Sequence, residues 1–209
     1  MSPESSDLSQ PIPASTPAPR AGIPWLWLVL AAAAGLLLLR SLWPTHTGAG
    51  KKLASLSLEP LTFSGERVAL DDLKGKVVVL NFWGPWCPPC RMELPHIAEL
   101  ASHYAGDGRC RVLAVSCGGR EPDPVSSLPK LKKQTNELLS AMDIKLAVYA
   151  DPEARTRRAV NDAVSFGGYP TTLLLDPHGV IQKVWTGYAP GDEEEMARLV
   201  ASLLEGAGT

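Results

Sequence analysis

The sequence predicts a mixed α/β sheet with helices on both faces. Two continuous apolar, β-branched runs read as strands covered on both sides, helical patterns alternate with the strands, and a closing hairpin is followed by one more helix. The chain has 209 residues, enough for one globular domain of ordinary size plus additional segments. Its formal net charge of −2 provides no basic footprint for nucleic-acid phosphates, so nucleic acid is excluded as a partner class.

Charge is unevenly distributed, because residues 1–43 carry only Glu4, Asp7, Arg20 and Arg40. Residues 1–22 are rich in Pro and Ser and nearly without apolar residues, a composition that cannot bury enough surface to offset its ordering entropy, and they read as a disordered tail. Residues 23–43 follow as an apolar run closed by Arg40 and Trp43. As a helix, Trp25 to Trp43 would rise about 27 Å, close to the hydrocarbon thickness of a bilayer, with a Trp at each interface and Arg40 able to snorkel. The alternative is a cleaved signal peptide. An uncleaved anchor fits better, since the run exceeds the usual signal core and only Thr47-Gly48-Ala49-Gly50 stands where a small-residue cleavage site would be needed. Residues 44–56 read as a short tether, and residues 57–209 as the globular domain.

Within that domain, Leu61–Phe63 and Arg67–Leu70 flank the turn Ser64-Gly65-Glu66 and suggest a small hairpin. Lys76–Trp83 reads as a central strand running directly into Gly84-Pro85-Trp86-Cys87-Pro88-Pro89-Cys90. After the cysteines, Met92, Ile97, Leu100 and Tyr104 recur at helical spacing, with a kink expected at Pro95. Arg111–Ser116 is a second buried strand. A loop from Gly118 to Pro129 leads to a helix near Leu131–Met142, then Leu146–Ala150 gives a third strand. Glu153–Val164 reads as a helix that exposes Arg155, Arg157 and Arg158. Thr171–Asp176 and Val180–Thr186 form the closing hairpin around Pro177-His178-Gly179. The last helix, Asp192–Leu204, opens on four acids where the helix dipole favours them.

The Cys-x-x-Cys pair carries the chemistry. Cys87 follows a strand and opens a helix, so backbone N–H groups and the positive end of the dipole favour its thiolate. With Cys87 as N-cap, Pro88 and Pro89 occupy the first two helical positions, where no N–H is needed, and the Cys90 N–H faces the sulfur. This geometry suits an exposed nucleophile that forms a mixed disulfide, which Cys90 then resolves. The alternative, half of a zinc site, lacks partners: the sequence holds no second Cys-x-x-Cys and no His-x-x-x-His, whereas a closed zinc site needs four ligands. Glu93 lies three residues beyond Cys90 and shares a helical face with it, either as a proton acceptor or as an ordinary solvated Glu. Cys110 and Cys117 would stand about 23 Å apart along one strand, too far to pair. Cys117 falls at the strand end nearest Cys87, where it could reach the rim of the site, whereas Cys110 falls at the opposite end, and both read as ordinary small buried residues.

The stretch Val78–Pro95, containing Asn81-Phe82-Trp83-Gly84-Pro85-Trp86-Cys87-Pro88-Pro89-Cys90-Arg91-Met92-Glu93-Leu94-Pro95, resembles the active-site segment of membrane-anchored TlpA/ResA-like thiol-disulfide oxidoreductases. Gly168-Tyr169-Pro170-Thr171-Thr172 resembles the cis-proline loop of thioredoxins, and together the likeness covers roughly residues 57–209. The resemblance implies a thioredoxin fold, an extracytoplasmic domain on a single-pass N-terminal anchor, and reduction of protein disulfides, among them apocytochrome c cysteines before haem attachment. It assigns Cys87 as nucleophile, Cys90 as resolving thiol, Pro170 as the cis proline and Glu93 as proton relay. Asn81 stands where thioredoxin itself has a buried Asp. A cis bond at Pro170 would expose the Tyr169 backbone to a substrate strand. Trp86 either shields the sulfurs or faces the substrate. No cofactor is implied beyond the dithiol itself, and a membrane electron donor would recharge it.

Two rivals use the same fold. An oxidase or isomerase differs from a reductase only in reduction potential. A copper-delivery protein would need soft ligands, and its cysteines are typically spaced by three rather than two. Topology contains an internal conflict: Arg40, Lys51 and Lys52 follow the apolar run, which by the positive-inside rule would place the domain in the cytoplasm. The likeness over some 150 residues outweighs that bias and favours the extracytoplasmic side.

Overall fold

The computed structural model of the protein describes residues 49–119 and 127–206, together with Val29. The predicted tail and, apart from Val29, the predicted anchor lie outside the described residues, as does most of the Gly118–Pro129 loop. Among the described residues no helix is long and apolar enough to cross a membrane.

In chain order the domain comprises β1 (Ser57–Pro60), β2 (Val68–Ala69), β3 (Val77–Trp83), α1 (Pro88–His103), β4 (Cys110–Ser116), α2 (Leu128–Ala141), β5 (Val148–Ala150), α3 (Arg155–Val164), β6 (Thr171–Leu175), β7 (Ile181–Thr186) and α4 (Asp192–Gly206). The strands form one sheet in the order β2-β1-β5-β4-β3-β6-β7. It is mixed, as predicted, because β3 runs parallel to β4 and antiparallel to β6.

β3 occupies the middle of the sheet, and all seven of its residues are buried. Strand alternation divides them between two cores. Val77, Val79 and Trp83 pack with Leu94 and Ile97 of α1 and with Met196 and Val200 of α4. Val78, Leu80 and Phe82 pack on the opposite face with Val160 and Ala163 of α3. Each such side chain contributes roughly 1.5–3 kcal/mol through burial, so the strand leading into Cys87 is among the most firmly held parts of the domain. By the same alternation Asn81 faces α1, and this polar position inside an apolar strand becomes the floor of the site.

The structure departs from expectation at several places. The segment expected to be tether is in part domain: Gly50 and Lys51 exchange backbone bonds with Ile181, Lys52 bridges to Val180, and Leu53 and Leu56 are buried. Two leucines spaced along a short chain segment found an apolar groove to fill. The small hairpin exists, but its first arm is Ser57–Pro60 paired with Val68–Ala69, and not Leu61–Phe63. Leu61 and Thr62 instead donate their N–H groups to the Val148 carbonyl, and Leu70–Leu73 forms a 3-10 turn. β5 begins two residues later than predicted, and α2 begins three residues earlier. Pro95, the expected kink, lies inside the single helix α1.

Candidate active site

Cys87 is the N-cap of α1, with prolines filling the first two helical positions, and its sulfur accepts a hydrogen bond from the Cys90 N–H at 3.3 Å. The two cysteines are joined in a disulfide with Cα atoms 5.3 Å apart. The loop before them is tied down by Arg91, whose Nη2 and Nε both donate to the Pro85 carbonyl, at 2.6 and 3.0 Å. Cys87 was expected to be exposed, but its exposure is only 3%. Bonded to Cys90 and facing the Cys90 N–H, the sulfur is turned inward, leaving the neighbouring Trp86 as the exposed apolar group of the loop.

Beneath the disulfide lies a buried polar triad. Glu93 is one helical turn beyond Cys90 on the inner face of α1, and both residues are buried. Asn81 Nδ2 donates to Glu93 Oε2 at 2.7 Å and to Thr172 Oγ1 at 2.8 Å, while Thr172 Oγ1 donates to Glu93 Oε1 at 3.0 Å. Burial pushes the Glu93 carboxyl up to about 7, with the two hydrogen bonds opposing that shift and Asp192 adding to it. A carboxyl with that pKa can take or release a proton near neutral pH. Asn81 Oδ1 is buried without a hydrogen-bond partner among the described residues; rotation of the amide would offer this acceptor to a protonated Glu93. Glu93 also forms part of the lining of a cavity of about 660 Å³ between α1 and α4, which His96, Tyr188 and Asp192 also line.

The Tyr169–Pro170 peptide is cis. The Tyr169 ring stands edge-on to Trp86, with centroids 5.3 Å apart, and edge-on to Phe166 at 5.2 Å. Trp86 Nε1 donates to the Cys117 carbonyl at 2.9 Å. Close approach is essential here: a Cβ on Gly84 would lie 2.5 Å from Trp86 Nε1 and 2.8 Å from the Cys117 oxygen. Tyr169 OH donates to the Gly119 carbonyl at 3.0 Å and accepts from Arg157 Nη1 at 2.7 Å. Burial, with Cys117 beside it, pushes the phenol above its ordinary range against the pull of Arg157, so the hydroxyl stays neutral.

The structure therefore gathers Trp86, Cys87, Cys90, Glu93, Tyr169 and Pro170 around one end of the sheet. Thr172 was not anticipated, although a pair of threonines opening a buried leucine strand signals a polar partner nearby. Arg157 was expected on the exposed side of its helix; it is half-buried and reaches Tyr169, a long-range contact that helical periodicity cannot show. Cys110 and Cys117, read as ordinary small buried residues, are both buried, Cys117 with its carbonyl bonded by Trp86 and Cys110 at the far end of β4. Among the described residues no group of three or more His, Cys, Asp or Glu is placed to hold a metal ion.

A sheet of this topology with a disulfide at the N-terminus of a helix, opposite a cis proline, defines a thioredoxin-fold thiol-disulfide oxidoreductase. The profile of the AhpC/TSA family matches residues 49–184, and the chain belongs to that family. It is 34% identical over 146 residues to the thioredoxin-like protein YneN of Bacillus subtilis, covering 70% of this chain and 76% of that protein. It is 32% identical to the thiol-disulfide oxidoreductase ResA of Halalkalibacterium halodurans, covering 75% and 77%. With ResA of Bacillus subtilis it shares 36% identity over 124 residues, which span 59% of this chain and 60% of that relative. The fold matches a thioredoxin-family thiol:disulfide interchange protein of Chlorobium tepidum with a TM-score of 0.57 at 24% identity, covering 74% of this chain and 97% of that one. These relatives and the Cys87–Cys90 disulfide make the protein a thiol-disulfide oxidoreductase of the ResA type.

Proposed function

We propose that the protein is a membrane-tethered, extracytoplasmic dithiol reductase of protein disulfides, with apocytochrome c cysteines awaiting haem as its substrate class. The observation that carries the reading is the buried Glu93, one turn from Cys90 and with its carboxyl raised to about 7. A dithiol that reduces a disulfide must deprotonate its second, buried thiol, and Glu93 is an acceptor matched to that need.

In this mechanism the Cys87 thiolate attacks one sulfur of the substrate disulfide, and the other substrate sulfur leaves as a thiolate that takes a proton from water. Cys90 then gives its proton to Glu93, and its thiolate attacks the Cys87 sulfur. The mixed disulfide breaks, the second substrate thiolate departs, and two electrons have passed from the dithiol to the substrate. Glu93 sheds its proton through the cavity between α1 and α4. Trp86 and the Tyr169–Pro170 backbone form the rim against which an extended substrate strand lies. A membrane electron donor returns the pair to the dithiol.

The apolar run at residues 23–43 supports tethering, and tethering raises local concentration at the membrane where such substrates emerge. The test is the reduction potential of the Cys87/Cys90 pair in the full chain in mild detergent, by equilibration with dithiothreitol. A value near −270 mV, roughly that of thioredoxin, supports the reductase; one near about −120 mV would mean that the protein donates disulfides. An activity reporter fused after Thr209 that works only in the cytoplasm would overturn the topology.

A further inference from the structure

Arg157 belongs to α3, which packs on the sheet face opposite α1. Its guanidinium nevertheless reaches the rim of the site. Nη1 donates both to Tyr169 OH, at 2.7 Å, and to the Gly119 carbonyl, at 3.1 Å, and the Tyr169 hydroxyl donates to that same carbonyl at 3.0 Å. Each of the three groups is thus tied to the other two.

This closed triangle connects three separate pieces of chain: α3, the residue before the cis proline, and the segment leaving β4. The first turn of α3 is itself held, since the Arg157 N–H donates to the Asp151 carboxylate at 2.7 Å. From the triangle the contact runs outward. The Tyr169 ring, fixed at its hydroxyl, meets Trp86 edge-on, and Trp86 is bonded through Nε1 to the carbonyl of Cys117, two residues before Gly119. Trp86 is 45% exposed, so the braced group is the one presented to solvent beside Cys87. Among the described residues the half-buried guanidinium is bonded to a neutral phenol and a carbonyl and to no carboxylate, with Asp151 acting on its charge from nearby, a placement that costs desolvation. Surface helix packing needs no such arrangement.

We infer that Arg157 is a positioning residue for polypeptide substrate: through Tyr169 it holds the Trp86 edge and the pre-proline backbone in the orientation that receives an extended strand beside Cys87. It touches neither sulfur. The inference rests on the reading of the protein as a reductase of protein disulfides, and it makes a distinct demand on the data. Loss of Arg157 should weaken reaction with a polypeptide disulfide while leaving sulfur chemistry nearly intact, because the Cys87–Cys90 geometry and Glu93 are held by α1, β3 and β6.

The test compares wild type, Arg157→Ala, Arg157→Lys and Tyr169→Phe in the full chain. The reduced proteins react with two oxidants: bis(2-hydroxyethyl) disulfide, and a peptide bearing an intramolecular Cys-x-x-Cys-His disulfide, followed by tryptophan fluorescence. Arg157→Ala should lower the second-order rate constant for the peptide about ten-fold, the scale of one lost charge-assisted hydrogen bond. The rate with the small disulfide should change less than two-fold and the reduction potential should stay put. Arg157→Lys, which keeps a donor, should recover a substantial part of the peptide rate. The double variant Arg157→Ala/Tyr169→Phe should be no slower than the worse single variant, since both act through one contact. Equal losses toward both oxidants, or an unchanged peptide rate in Arg157→Ala, would overturn the inference. A wild-type protein that reduces neither oxidant would instead remove the reductase reading beneath it. Thermal unfolding of each variant identifies any that fail to fold, and Arg157→Lys and Tyr169→Phe then carry the comparison.

Discussion

The amide of Asn81 donates to Glu93 Oε2 across 2.7 Å, connecting the strand that leads into Cys87 with the helix that carries Cys90. The bond places a neutral donor, and not a second acid, against a carboxyl that burial has raised to about 7. The carboxyl can therefore be ionised or protonated near neutrality without a like-charged neighbour deciding the matter, because an amide can present either a donor or an acceptor.

Stability should fall as pH rises from about 4.5 to about 7 because of Glu93, and level off above that. Its folded pKa of about 7 lies above the ordinary 4.5, so between those values the folded chain holds a proton that the unfolded chain has released. The stabilisation is fully present below about pH 4.5 and is lost as pH climbs through 7. Glu93→Gln removes this dependence. In urea unfolding of the oxidised protein, wild type and variant should be alike near pH 4.5, and the variant should be more stable by roughly 3 kcal/mol at pH 8. Parallel pH profiles would show that the carboxyl is not raised.

Asn81→Asp should be harmful for the same reason. It exchanges the donor to Glu93 and Thr172 for an acid among buried groups, leaving Glu93 short of one hydrogen bond and facing a like charge. The expected loss is about 2–4 kcal/mol at pH 8, read as a melting temperature lower by roughly 5–10 °C. At pH 5, where the acids can share protons, the deficit should shrink. A melting point unchanged at both values would mean that the amide does not hold the carboxyl.

Gly84→Ala tests how closely Trp86 is fitted. The new methyl would stand 2.5 Å from Trp86 Nε1 and 2.8 Å from the Cys117 oxygen, inside the space that their hydrogen bond occupies. The indole must leave, at a cost of about 1–3 kcal/mol for overpacking. Acrylamide should then quench a larger share of the tryptophan emission than in wild type; equal quenching would show that the loop absorbs the methyl without moving Trp86.

Local pattern made much of this fold legible. The β-branched run of β3, the helical spacing after Cys90 and the turn at Pro177-His178-Gly179 each found their element within a residue or two, because continuous burial, one-sided burial and turn chemistry leave marks in neighbouring residues. The sulfur pair and the placement of Glu93 beside it were legible for the same reason: each of the three residues lies about one helical turn from the next. Arg157 and Thr172 were not, since their roles depend on contacts 12 and 79 residues away. Leu53 and Leu56 were misread as tether because two leucines in a short polar stretch carry no period. The groove that buries them is built by residues far along the chain.

The remaining cysteines should behave as buried hydrophobes, and alkylation would show it. Cys110 pairs in register with Val77 at the start of β4, whereas Cys117 follows the far end of that strand, so the two cannot approach within the 7 Å that a disulfide requires. Burial pushes the Cys110 thiol up to about 11, which leaves it almost wholly protonated at pH 8, and the thiol is a poor nucleophile. Treated with iodoacetamide at pH 8 after reduction, the native protein should label first at Cys87, the helix N-cap. Cys110 should label only once denaturant is added, and oxidation of the native chain should never produce a Cys110–Cys117 bridge. Rapid native labelling of Cys110, read by peptide mass spectrometry, would mean that the start of β4 opens far more readily than its pairing with the buried strand β3 allows.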